Sequence, residues 1–240
     1  MIYCSADEAG VHLSPMELNY ADPDYVDAMN AYLSGHWKEA EPKFKELCDR
    51  YESSTFVRLM LGDVYYSIGK LNDAVKMYHA AILLNPEFTL AYYKLGVCFY
   101  RKGHLRHALE AFQRVSTGPN SHALANYFIG LIHMYLGNDE DAAKGFEAFK
   151  VQSEQSIIAN MYLAQLKVKA KKYEEALPLL LELAEQTPHF AEVHYMLGTV
   201  YYGMHDNAKA VQSYRKALDI NPADERTKTR LTLLTDIQFI

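Results

Sequence analysis

A period of 34 residues runs through this chain and limits its fold more than any other feature. Gly62, Gly96, Gly130 and Gly198 recur at steps of 34, 34 and 68 residues; Ala164 fills the missing step and Ala28 extends the row backwards. Twelve residues after each comes a second row, Ala40, Ala74, Ala108, Ala142, Ala176 and Ala210. A third row is aromatic, Phe44, Tyr78, Phe112, Phe146 and Tyr214, with Leu180 in its fifth repeat, and Pro86, Pro188 and Pro222 close three repeats. Rows held in register over this length mark stacked supersecondary repeats, none of which can bury its apolar face alone.

Within a repeat the apolar spacing is helical. Thr55 to Ile68 places Leu61, Val64, Tyr65 and Ile68 on one side before Gly69 and Asn72 break the run. Leu71 to Leu84 resumes it with Ala74, Tyr78 and Ala81, and Asn85-Pro86 ends it. Two helices per repeat follow. Gly62 and Ala74 fall where the two antiparallel helices cross, with the aromatic row filling space toward the next repeat. Pro42 and Pro178 fall near the starts of second helices, where a missing N–H costs little.

These residues resemble the tetratricopeptide repeat, whose pattern of a large residue, Leu-Gly, Tyr, then Ala, an aromatic, Ala and Pro is met by Leu61-Gly62, Tyr65, Ala74, Tyr78, Ala81 and Pro86. The resemblance implies an all-α fold, a right-handed superhelical solenoid of tandem helix-turn-helix repeats. Six repeats are expected, 21–54, 55–88, 89–122, 123–156, 157–190 and 191–224, between an N-terminal segment, 1–20, and a capping helix, 225–240. Departures carry information as well. The first repeat has Asp27-Ala28 in place of Leu-Gly. The fourth has Phe149 where a small residue is usual and Glu154 where Pro is usual, which points to a bent or loosened joint with the fifth. Asp22-Pro23 reads as an N-cap followed by a first-turn proline, and Ser14-Pro15-Met16-Glu17 has the spacing of a capping box. In the C-terminal helix Leu231, Leu234 and Ile237 form one stripe; the apolar Phe239-Ile240 beyond it exceeds what a lid requires.

If the first helices line the inside of such an array, the face opposite the glycine row is a groove. Its expected residues are Met60, Leu90, Tyr93, Lys94, Val97, Arg101, Leu124, Tyr127, Phe128, Leu131, Tyr135, Ile158 and Tyr162, apolar at mid-array, while Asp22, Asp63, Gln165, Glu192 and Thr199 make the ends polar. Lys94 and Arg101 lie inward by the same spacing, suited to orienting an acidic group. The tyrosine rows Tyr25, Tyr93, Tyr127, Tyr195 and Tyr32, Tyr66, Tyr100, Tyr202 are assigned chiefly to packing between helices. Contiguous exposed apolar surface marks an interaction site, against the competing reading that curvature or residues 1–20 cover it. The carboxylate clamp of some family members needs Lys and Asn at inward sites that here hold Leu59, Asp63, Lys94, Leu124 and Phe128, so that co-chaperone role is disfavoured.

Composition narrows the function classes. With half of 240 residues apolar and 22% charged, the chain is an ordinary globular protein. No apolar run is long enough for a membrane span. The opening residues lack the basic and apolar pattern of a secretory signal, and Cys4, Cys48 and Cys98 form no CxxC pair, so free thiols and a cytoplasmic location are expected. A net charge of −6 gives no footprint for nucleic acid. No dinucleotide, phosphate-loop, esterase or zinc-protease motif occurs. His104 and His107 lack an evident third ligand, so no metal or cofactor is expected there. The basic stretches 101–106 and 167–172, with Asp139-Glu140-Asp141 between them, read first as solvated turns and second as an edge for a charged protein.

The expected function is therefore non-catalytic: a scaffold or adaptor that binds a peptide or helical segment of a partner protein in an apolar concave groove. The alternatives are a chaperone or assembly factor for a secretion-type or pilus-type client, and a self-assembling platform, with which a homo-oligomer is compatible.

Overall fold

The computed structural model describes residues 17–117, 122–153 and 156–235. Among them are thirteen α-helices and no strand. The helices pair in chain order: α1 (Pro23–Leu33) with α2 (Trp37–Arg50), α3 (Thr55–Ser67) with α4 (Leu71–Leu84), and α5 (Thr89–Arg101) with α6 (Leu105–Gln113). Then follow α7 (Ala123–Tyr135) with α8 (Asp139–Gln152), α9 (Ile157–Lys169) with α10 (Tyr173–Gln186), α11 (Ala191–Gly203) with α12 (Asn207–Ile220), and last α13 (Glu225–Thr235) against α12. The chain divides into two compact units, Met1–Ser121 and His122–Ile240, each with its own stack of helices.

Each hairpin turns in the same way. Gly35, Gly69, Gly103 and Gly137 have φ between 73° and 82°, and the same place, 34 residues on each time, is held by Lys171 (φ 57°) and His205 (φ 64°). The residue after it donates its N–H to a carbonyl five positions back: Lys70 to Tyr65 at 2.8 Å, and His36, His104, Asn138, Lys172 and Asp206 likewise at 2.9 Å. This is the left-handed helix stop that satisfies the last carbonyls of a helix, and glycine takes it without strain.

The glycine row has a different cause from the one its spacing suggested. A Cβ on Gly62, Gly96, Gly130 or Gly198 would stand 2.5 to 2.8 Å from the ring of Tyr78, Phe112, Phe146 or Tyr214, respectively. In these four repeats the ring thus packs directly against the glycine of its own repeat. Backbones themselves come together in the fourth repeat, where Gly145 of α8 faces the backbone of Gly130. All these rings are essentially fully buried.

Caps and breakers follow local chemistry. Asp22 accepts the Asp24 N–H at 3.0 Å with Pro23 opening α1, and its other oxygen takes the Tyr51 hydroxyl at 2.7 Å and Arg50 at 2.8 Å. Pro42 and Pro178 stand inside α2 and α10, past the first turn, and therefore deeper than expected. Phe149 is buried, its ring 5.6 Å from that of Tyr127; Glu154 lies outside the described residues. So do Ser14, Pro15 and Met16 of the expected capping box, and Ile237, Phe239 and Ile240 at the other end. In α13 Leu231 and Leu234 are half-buried, and Arg226 ties the helix to α11 through Glu192 at 2.7 Å while lying 4.5 Å above the Tyr195 ring.

Candidate functional site

Tyr32 of α1, Asp63 of α3 and Lys94 of α5 are 31 residues apart in sequence and meet in space. A step of 34 less one helical turn brings the first helices of successive repeats side by side. Asp63 Oδ2 accepts Lys94 Nζ at 2.9 Å and the Tyr32 hydroxyl at 3.2 Å, while Oδ1 accepts the Tyr78 hydroxyl of α4 at 2.7 Å. Asp63 is only 6% exposed, and a charge so deep persists because it is paired and hydrogen-bonded on both oxygens. Burial, reinforced by the nearby Asp63 charge, pushes the Tyr32 phenol up to about 12 and the Tyr78 phenol still further above its usual range.

Over this cluster opens a recess of about 330 Å³, walled by Tyr66, Tyr93 and Val97, with Tyr32, Asp63, Tyr78 and Lys94 in its floor. The first unit thus brings three of the expected groove residues, Tyr93, Lys94 and Val97, into one site. Arg101 sits on its rim, exposed, its guanidinium 4.8 Å above the Tyr66 ring and donating to the Tyr66 carbonyl at 3.1 Å. Leu90 is half-buried against the core of the unit. Met60 is 8% exposed and packed into that core, so it offers no open surface: the helical spacing alone did not allow for the cover of neighbouring helices. Asp63, expected as a polar residue at one end of the groove, completes the site with Tyr32 and Tyr78, which were not among the expected groove residues; the 31-residue step was the signal that joins Tyr32 to Asp63.

In the second unit, Leu124 and Ile158 are 49% and 52% exposed, and Tyr135 is exposed as well. Phe128, Tyr127 and Tyr162 are half-buried. Leu124 and Phe128 occupy successive turns of α7, as Ile158 and Tyr162 do on α9, and the rings of Tyr127 and Tyr162 lie 6.0 Å apart, setting the two faces side by side. Tyr162 is stacked on Phe146 at 4.6 Å and 4°, so one of its faces belongs to packing. Leu131 is 7% exposed and, like Met60, is a core residue.

Three of the flanking tyrosines make the same packing contact. Tyr93, Tyr127 and Tyr195 stand 5.8 to 6.2 Å from Phe112, Phe146 and Tyr214, the same ring contact in three repeats. Three side chains of the basic stretches have partners within the fold: Lys102 on Asn72, Lys169 on Asp139 and Lys167 on Glu175. A second recess, about 510 Å³, lies between α4, α5 and α6 and includes His79, Phe99, His107, Glu110 and Arg114. Phe99 holds His107 at 5.2 Å and His104 and His79 at 6.2 Å, and burial lowers the His79 pKa. Among the described residues no three His, Cys, Asp or Glu side chains are grouped to hold a metal ion. Cys48 and Cys98 are free thiols; burial pushes Cys48 up to about 11 and raises Cys98, away from nucleophile chemistry, and Cys4 lies outside the described residues. Among the described residues no helix is long and apolar enough to cross a membrane.

Family models agree with this geometry. A model for the TPR repeat matches residues 62–103, and models for the tetratricopeptide repeat match residues 90–121 and 191–224. Over these residues the chain carries tetratricopeptide repeats. No curated protein matches it in sequence. Among solved structures, YrrB, described as a TPR protein with an unusual peptide-binding site, superposes with a TM-score of 0.70 at 20% identity, covering 78% of this chain and 96% of that one. MamA gives 0.63 at 18% identity over 72% and 94% of the two chains, and PilF of Pseudomonas aeruginosa gives 0.68 at 14% over 88% and 96%. At these identities the likeness establishes the tetratricopeptide fold and nothing finer.

Proposed function

We propose that this tetratricopeptide protein is a non-catalytic scaffold or adaptor that binds an extended or helical segment of a partner protein on its first helices. The observation that carries the reading is the recess over Asp63: some 330 Å³, about the size at which binding pockets begin, walled by aromatic and aliphatic side chains over a few fixed polar groups. The apolar faces of α7 and α9, with Leu124 and Ile158 about half exposed, offer anchor sites of the same chemistry in the second unit. A cytoplasmic location belongs to the proposal and is checked by fractionation of the host cell.

The test uses the full chain. Val97→Glu puts a charge at the wall of the recess, and Leu124→Glu with Phe128→Glu does so on α7. Partners recovered from the native host and identified by mass spectrometry should be lost with either variant while helical circular dichroism is unchanged. Full recovery with both variants removes the reading. A chaperone or assembly factor for a secretion or pilus client is a narrower form of it, since exposed Leu124 and Ile158 suit an aggregation-prone client; such a factor would keep its client soluble in a refolding assay. Self-assembly is tested by light scattering: a mass that stays that of one chain across concentration excludes it.

A further inference from the structure

We infer that the recess of the first unit selects partner segments carrying an Asp or Glu side chain beside the apolar anchor. This rests on the peptide-binding reading and adds the charge of the ligand to it. The argument is a count of donors and acceptors. Asp63 is the carboxylate among the residues that line the recess, and it already accepts three hydrogen bonds, from Tyr32, Tyr78 and Lys94. Lys94 has three N–H donors and spends one on Asp63; its side chain is 33% exposed, so the others face the opening. Arg101 has five and spends one, on the Tyr66 carbonyl.

Lys94, Val97 and Arg101 follow one another along one face of α5, with the Arg101 guanidinium 4.8 Å from the centre of the Tyr66 ring that walls the recess. Lining and rim together hold two cations and one anion in a chain whose net charge is −6. What the site lacks is a second negatively charged acceptor. A carboxylate placed between Lys94 and Arg101 supplies it, while an aliphatic or aromatic neighbour lies against Tyr66 and Val97. A basic segment would meet two like charges and an Asp63 already engaged.

The experiment is selection from a phage-displayed random peptide library on the full chain, followed by anisotropy with synthetic, C-terminally amidated peptides of the enriched sequence. Enriched sequences should carry Asp or Glu next to an apolar anchor. Replacing that Glu by Gln in the peptide should weaken binding about 10- to 100-fold, the scale of one charged hydrogen bond. Arg101→Gln should weaken the Glu peptide about tenfold and leave the Gln peptide unchanged. Because Lys94 also supports Asp63, its contribution is read in the paired variant Asp63→Asn with Lys94→Gln, which keeps the floor neutral and hydrogen-bonded. Enrichment without acids, or equal affinity for the Glu and Gln peptides, overturns the inference and leaves the peptide-binding reading standing if Val97→Glu still abolishes binding. If the wild-type chain enriches nothing beyond what Val97→Glu enriches, the peptide-binding reading fails with it.

Discussion

The Tyr78 hydroxyl donates a 2.7 Å hydrogen bond to Asp63 Oδ1 at a point where both residues are shut off from water. Truncating Asp63 leaves that hydroxyl and the Lys94 ammonium without their acceptor, whereas an amide keeps an oxygen for Tyr78. Asp63→Ala should therefore destabilise the first unit by roughly 2–4 kcal/mol, and Asp63→Asn by about 1–2 kcal/mol. Urea unfolding followed by tyrosine fluorescence measures both. Equal losses for the two variants would show that the charge cluster does not hold these helices.

Alkaline pH should loosen the same cluster. The Tyr32 and Tyr78 phenols are raised above the unfolded value near 10, so folding favours their protonated forms. Their contribution is complete below pH 10 and declines as pH climbs through about 12, the folded value for Tyr32. Absorbance at 295 nm should show Tyr32 and Tyr78 among the phenols that titrate late, and Asp63→Asn should bring these two forward by removing the negative charge that holds them back. Titration of every tyrosine in one step near 10 would contradict the cluster.

The hairpin turns offer stabilising substitutions. Lys171 and His205 take the left-handed backbone that glycine takes in the other four turns, at a cost of about 1 kcal/mol each. Lys171→Gly and His205→Gly should each raise the thermal midpoint, and Gly69→Ala, with φ 82°, should lower it. Calorimetry decides; a drop for both lysine and histidine variants would mean that their side chains matter more than their backbone.

Which parts of this could be read from the residues divides along a physical line. The 34-residue rows announced the helix pairs because packing repeats wherever the chain repeats. The turn row was half visible: Gly35, Gly69, Gly103 and Gly137 keep the period, but Lys171 and His205 hide it, since a strained residue leaves no compositional mark. Periodicity put Met60 and Leu131 among the groove residues and failed on their exposure, which depends on how closely the next helix lies. The Asp63 cluster was missed because its members come from four helices; taking one helical turn from the period, the 31-residue step, would have joined Tyr32, Asp63 and Lys94.

Glycine and ring should behave as a coupled pair. A Cβ on Gly96 would stand 2.7 Å from the Phe112 ring, so Gly96→Ala should cost about 1–3 kcal/mol. The fifth repeat shows the compensation already made, with Ala164 opposite Leu180 and both fully buried. Gly96→Ala combined with Phe112→Leu should lose less than the sum of the single variants, by about 0.5–3 kcal/mol. Strict additivity in a denaturation cycle would argue against direct contact.

Asn160 is fully buried on α9, and neither its amide nitrogen nor its oxygen has a partner. Exchanging it for a side chain of similar size without polar atoms removes that desolvation cost. Asn160→Leu should stabilise the second unit by about 1 kcal/mol, measured as a shift of the urea midpoint at constant slope. A loss of stability would indicate an ordered water serving the amide.

One carboxylate gathers α1, α3, α4 and α5 around itself, and that arrangement bears on the speed and strength of any encounter at this wall. Side chains frozen by folding have little freedom left to surrender when a guest arrives, so pre-organisation favours affinity and leaves the partner segment to supply most of the ordering.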